Sequence, residues 1–125
     1  HTLRQNLQIA LLFYPDKKRI PPRKLGIGEL IFSLPKGLCE KFLKDYVGDI
    51  LLGEDMDSIQ TAMAFFRHNL SIAETARHLH MHRNTLVYRL EQIEKKYHLD
   101  IKNFEGAMIF HIAIMITYYM KADKK

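Results

Sequence analysis

Between residues 55 and 120 the apolar side chains of this chain return every three or four positions, which is the period of a helix face. Asp55 and Asp57 are helix-start signals, and Ile59, Met63, Phe66 and Leu70 then share one side of the segment they open. Upstream, the pattern around Gly28 to Ser33 opens a helix. Pro35 stands where a first helical turn tolerates it, and Leu38, Phe42, Tyr46 and Ile50 follow at helical spacing. Residues 2–14 carry Leu3, Leu7, Ala10 and Leu11 in the same rhythm, which predicts a helix stopped by Pro15. The helix from about Asn103 to Met120 is apolar nearly all round, yet its most apolar stretch, Ala107 to Met120, is shorter than the roughly 20 residues a membrane span needs. It therefore reads as a helix buried on several sides. Ile109, Ile112, Ile116 and Tyr119 are assigned to the core. Met108, Met115 and Tyr118 are left for the helices within residues 27–52 or for a partner. Alternating strand patterns are scarce outside residues 19–23. The fold class that follows is all-α: a helical bundle containing a helix-turn-helix, with a short extended N-terminal linker.

The helix-turn-helix is the informative part, at about residues 71–97. Ser71-Ile72-Ala73-Glu74 has the form of a capping box, in which Ser71 caps the backbone N–H three residues on and Glu74 reaches back. Ile72, Ala73, Ala76 and Leu79 make the expected buried face of a short helix, with small residues that let a second helix cross closely. After the turn His80-Met81, a second helix runs from about Arg83 to Tyr97. At about 100° per residue, Leu86, Leu90, Ile93 and Tyr97 fall on its core side. Asn84, Tyr88 and Lys95 fall opposite, Thr85 and Gln92 on one shoulder, and Arg83 and Arg89 at the flanks. Such a face can meet base edges and phosphates, and in this motif the second helix enters the DNA major groove. The common pattern has Gly near position 80 and Ser or Thr near position 82. Here His80 and His82 stand there, so His80 is expected to take a left-handed backbone at a cost of roughly 1 kcal/mol.

Composition narrows the alternatives. In 125 residues, 19 Lys+Arg face 14 Asp+Glu for a net +5, an excess that permits an acidic partner without requiring one. The excess is local: residues 16–24 hold five basic residues against Asp16, and residues 67–89 hold four arginines against Glu74, with four histidines alongside. For residues 16–24, with Pro21-Pro22 among them, a solvated linker outweighs a DNA-touching arm. A single cysteine, Cys39, cannot close an internal disulfide, and its apolar-periodic setting suggests a packed thiol in a reducing compartment. Gly26-Ile27-Gly28 lacks the third glycine and the strand-turn-helix frame of a phosphate loop. His68, His78, His80 and His82 have no cysteine near them, and phosphate or turn roles outweigh a metal site. No serine sits in a nucleophile-elbow context. No enzymatic activity, cofactor or metal is expected.

Taken together, the run from Ser71 to Glu94 followed by Leu99-Asp100-Ile101 resembles the C-terminal helix-turn-helix of the PucR/CdaR family of bacterial transcriptional regulators. His82-Arg83-Asn84-Thr85-Leu86 and Tyr88-Arg89-Leu90 carry most of the likeness. Phe13-Tyr14-Pro15-Asp16-Lys17-Lys18 and Leu25-Gly26-Ile27-Gly28-Glu29-Leu30 resemble its CdaR-like members. The resemblance implies a preceding cyclase-like domain whose tail, with the basic linker, is residues 1–24, and a helical output domain over residues 25–125. It also implies an effector sensed by an N-terminal region outside this chain. The resulting expectation is a sequence-specific DNA-binding domain of a cytoplasmic regulator, without membrane association, acting on double-stranded DNA as a homodimer. Asn84, Thr85, Tyr88 and Gln92 would read bases; Ser71, His82, Arg83, Arg89 and Lys95 would hold phosphates. Arg89 has the alternative of bracing Glu94 or Glu105. The rival reading is a helical protein-interaction or dimerisation module that does not touch DNA.

Overall fold

The computed structural model describes residues 26–48 and 55–123. The helix expected over residues 2–14, the basic linker and Ile50 lie outside the described residues. Within them are six helices and no strand: α1 Gly26–Phe32, α2 Lys36–Tyr46, α3 Met56–Arg67, α4 Ile72–His78, α5 Arg83–Tyr97 and α6 Phe104–Asp123.

Two groups of helices share α3. On one side α6 packs against α1, α2 and α3; on the other α5 packs against α3 and α4. The core runs through both groups, from Ile31, Cys39 and Leu43 through Phe65 and Phe110 to Leu86, Leu90 and Ile93. This position explains α3. The expected face of Ile59, Met63, Phe66 and Leu70 is only part of what it buries, because Thr61, Ala62, Ala64 and Phe65 are buried as well. A helix with neighbours on three sides has no single apolar stripe.

In α2 the expected face is rotated by one position. Cys39, Leu43 and Val47 are buried, whereas Leu38 is 51% and Tyr46 46% exposed. The two rows lie about 100° apart and both are apolar, so periodicity alone cannot choose between them. Packing on α6 selects the Cys39 row, and Phe42 and Tyr46 pair their rings at the edge, 4.8 Å between centroids. Pro35 stands at the N-cap of α2 and not inside it. Beyond Val47, Gly48 takes φ +65° and donates its N–H to the Leu43 carbonyl, 2.6 Å, a helix end that favours glycine.

α6 extends three residues further than expected and is enclosed by the bundle. Ile116 is buried, and Ile109, Ile112 and Tyr119 are half-buried. Met115, expected to be available to a partner, is 3% exposed and belongs to the core. Tyr118 is half-buried against that core, and of the three only Met108 is exposed. α1 and α2 therefore cover much of the second face of α6. Thr117 is buried without penalty because its hydroxyl donates to the Ala113 carbonyl, 2.8 Å. Cys39 is fully buried, and burial first, then Glu40, pushes its thiol above the ordinary value. No helix among the described residues is long and apolar enough to cross a membrane.

Candidate nucleic-acid interface

The segment that presents the candidate site is built by three local devices. The first ends α3: Leu70 donates to the Phe65 carbonyl (2.9 Å) and Asn69 to that of Phe66 (3.1 Å), with Asn69 and Leu70 both left-handed. The second starts α4. Ser71 stands at its N-cap with extended backbone, and its Oγ accepts the Glu74 N–H at 3.1 Å. Only this half of the capping box forms. The Ser71 N–H already donates to the His68 carbonyl, 3.0 Å, so Glu74 has no free donor to serve and pairs instead with Arg77 at 2.7 Å.

The third device is the turn itself. Met81 donates to the Ala76 carbonyl (3.0 Å) and His80 to that of Arg77 (3.2 Å), with His80 at φ +56°. These are the two bonds of a Schellman ending, and the left-handed residue stands where glycine is usual. The buried face of α4 differs from expectation. Thr75 and Ala76 are buried, Ile72 and Leu79 half-buried, and Ala73 exposed. Thr75 can face inward because its hydroxyl donates to the Ser71 carbonyl, 2.7 Å, and a sequence reading that sends polar residues outward misses it.

α5 starts at Arg83 and ends at Tyr97, as expected. Leu86, Leu90, Ile93 and Tyr97 are buried, and they fix the rotation of the helix about its own axis. Asn84, Thr85, Arg83, Arg89, Gln92 and Lys95 are all exposed, and Tyr88 is 61% exposed. The candidate contact residues other than Ser71 therefore stand on one helix or at its cap. Ser71 is half-buried at the start of α4 with its hydroxyl oxygen engaged. His82 is the N-cap of α5, and its Nδ1 accepts the Asn84 N–H at 2.9 Å.

The environment changes along α5. Arg83 and Arg89 belong to its first half, where no acidic residue lies in the first turn. Arg89 and Gln92 border a cleft with Asp57, Ser58 and Thr61 of α3. Neither of the acids proposed to brace Arg89 pairs with it among the described residues; Glu94 instead faces Lys102 at 3.5 Å. Lys95 borders a second cleft with Glu91, Glu94, His98, Asp100 and Lys102. Three carboxylates thus share the cleft with Lys95, two of them pairing with Lys102, whereas no acidic residue lies in the first turn beside Arg83.

The far end of α5 is locked to the start of α3 by a contact that periodicity cannot reveal. Asp55, expected only as a cap, makes no cap hydrogen bond. Its Oδ2 accepts from the Tyr97 hydroxyl (2.6 Å) and the Lys96 ammonium (2.9 Å). Burial pushes the Asp55 carboxyl up, but hydrogen bonds from Tyr97, Lys96 and Ser58 outweigh it and hold the group below the usual carboxylate range. Burial, and then the bond to Asp55, pushes the Tyr97 phenol above its ordinary value. Tyr97 also packs its ring on Phe110 of α6, 5.0 Å between centroids.

The histidines do not converge. The rings of His68 and His78 pack at a tilt, 4.8 Å between centroids, and the His68 ring donates from Nδ1 to the Ala64 carbonyl, 2.8 Å. Among the described residues no three His, Cys, Asp or Glu side chains come together as a metal site.

Comparison with known proteins bears on this geometry. Residues 58–116 match the model of the PucR C-terminal helix-turn-helix domain. The chain is 30% identical over 98 residues to the uncharacterized protein YxkF of Bacillus subtilis (strain 168), covering 74% of this chain and 33% of that one. It is 39% identical over 57 residues to the carbohydrate diacid regulator of Escherichia coli (strain K12), covering 46% and 15%. It is 30% identical over 90 residues to the purine catabolism regulatory protein of Bacillus subtilis, covering 70% and 17%. The chain thus spans a third or less of the length of these relatives. No solved structure matches significantly. The matched residues run from the first turn of α3, through the turn and α5, into α6, so that this part of the chain belongs to the PucR C-terminal helix-turn-helix domain family.

Proposed function

We propose that this chain is the DNA-binding output part of a bacterial transcription regulator, with α5 as the recognition helix in the major groove. The observation that carries the reading is the exposed Asn84, Thr85 and Tyr88 face on a helix whose opposite face is fully buried. A helix anchored in this way offers base-edge partners at a fixed angle, and in this motif the N-terminal residues of the recognition helix make the base contacts. Asn84 has the amide geometry for adenine, Thr85 and Tyr88 suit thymine methyls and hydroxyl contacts, and Gln92 lies further along the groove. Arg83 and His82 hold phosphates beside the helix start, Arg89 does so from the flank, and Ser71 braces the backbone through α4. Lys95 ranks last among the phosphate contacts, because its neighbours are acidic.

Two relatives are regulators by name, and the proposal takes from them the class of regulator and not the signal. An effector-sensing region outside this chain, and work in the cytoplasm where the chromosome is reached, belong to the same proposal. So does a homodimer, since a two-fold pair reads two half-sites one helical turn apart. The rival interaction reading is favoured by one observation, an exposed apolar patch in which Ile27, Phe104 and Met108 border one cleft. A second copy of this chain on that patch satisfies both readings. The deciding experiment is a shift assay with duplexes selected from random sequence. Retention of a common motif supports the proposal, whereas dimers that retain no duplex favour the interaction module.

A further inference from the structure

The turn before α5 gives His82 a role beyond that of a phosphate contact. As the N-cap residue it has extended backbone, φ −67° and ψ 146°, and its side chain occupies the place usually held by a serine or threonine oxygen. The atom that accepts is Nδ1, 2.9 Å from the backbone nitrogen of Asn84. An imidazole nitrogen can accept only while it carries no proton, so this contact requires a neutral ring with its hydrogen on Nε2. The residue whose amide is held in this way is Asn84, the residue proposed to read adenine.

We infer that His82 positions the recognition helix only in its neutral Nε2–H form, so that sequence discrimination on DNA weakens when this ring protonates. A proton on Nδ1 sets an N–H against the Asn84 N–H and removes the cap. It also places a positive charge at the positive end of the helix dipole. The first turn, which carries Arg83, Asn84 and Thr85, then frays. A protonated ring simultaneously attracts phosphate, but that attraction is the same for every sequence. The two effects separate in the ratio of cognate to random affinity, which only the loss of position lowers.

The surroundings leave His82 as the group that couples to this turn. On α4 the charged and titratable groups are Glu74, Arg77 and His78, with Glu74 and Arg77 paired to each other. His80 occupies the turn, and Arg83 and Arg89 lie on α5 itself. On α3 they are Asp57, bordering the Arg89 cleft, with Arg67 and then His68 at the far end. None of these makes a hydrogen bond or ion pair to the His82 ring among the described residues.

The inference rests on the DNA-binding reading, and its test has one arm that does not. Long-range nitrogen–proton spectra of the folded chain are expected to show His82 as the Nε2–H tautomer, with the Asn84 amide resonance moving as that ring titrates. An Nδ1–H tautomer, or an Asn84 amide indifferent to the titration, overturns the inference. In the binding arm, the cognate-to-random ratio is measured at about pH 8 and about pH 5.5, on either side of the ordinary histidine range. The wild-type ratio is expected to fall about five-fold, the size of a typical cap loss. His82→Ser, which caps without titrating, is expected to weaken binding to every duplex through its lost phosphate contact and to keep the same cognate-to-random ratio at both. An equal fall in His82→Ser assigns the effect to His78 or His80 and overturns the inference. No discrimination at either pH refutes the DNA-binding reading instead, and the spectra still decide the cap.

Discussion

Asn84 and Arg83 are adjacent in sequence but are proposed to face different parts of a duplex, and their substitutions separate the two kinds of contact. Asn84→Ala is expected to cost about 1–3 kcal/mol on the cognate site and almost nothing on random DNA, as read by titrations of both. Arg83→Ala is expected to weaken binding to every duplex and to reduce the slope of log affinity against log salt by about 1. A third residue-scale prediction concerns strain. His98 closes α5 in the left-handed region, φ +59°, and is exposed. His98→Gly relieves a cost of roughly 1 kcal/mol and should raise the denaturation midpoint, leaving DNA affinity unchanged. Much of this site was legible beforehand. The core row Leu86, Leu90, Ile93 and Tyr97 fixes by angle which residues stand outward, and the absence of glycine at position 80 announced the left-handed His80 now seen. What escaped was the company each residue keeps, such as the carboxylates around Lys95 and the donor partner of His82, because neither follows from spacing along one helix.

At the scale of elements, α5 is held at its far end by one carboxylate. The Asp55 carboxyl titrates below its ordinary value, so its contribution is present above the unfolded pKa and is lost as pH falls through the folded one. Stability should therefore drop as solutions are acidified below the ordinary carboxylate range. Asp55→Asn should cost about 1–2 kcal/mol near neutral pH and flatten that acid limb in denaturant titrations. Another junction joins the end of α5 to α6. Asn103 accepts the Gly106 N–H at 2.9 Å, and a Cβ on Gly106 would lie 2.0 Å from the Asp100 carbonyl oxygen. The backbone has to move to admit it, so Gly106→Ala should destabilise by about 1–3 kcal/mol in the same titration. Helix existence and type were readable from periodicity. The facing of α2 and the buried Met115 were not, because tertiary neighbours chose between rows that the local pattern left equivalent, and the inward Thr75 was not, because its hydroxyl is satisfied by the Ser71 carbonyl.

For the whole molecule, a net charge of +5 spread over 125 residues is too small by itself to hold DNA tightly. What the fold adds is placement. The arginines of α5 stand beside its Asn-Thr-Tyr face, while the carboxylates gather toward its other end. A dimer would double the contacts without raising the charge of either copy. The exposed Phe104, 74% accessible, and Met108 are where a second copy would bury apolar surface. Phe104→Asp with Met108→Asp should then shift sedimentation to the monomer and weaken binding to a two-half-site duplex more than to a single half-site. The most direct measurement of the central claim is selection of duplexes from a random pool by this chain, repeated with Asn84→Ala. The account predicts one enriched motif containing a fixed adenine–thymine pair whose preference is lost in the variant. Enrichment of no motif by the folded wild-type chain, or the same motif with the same preference in both, would contradict it.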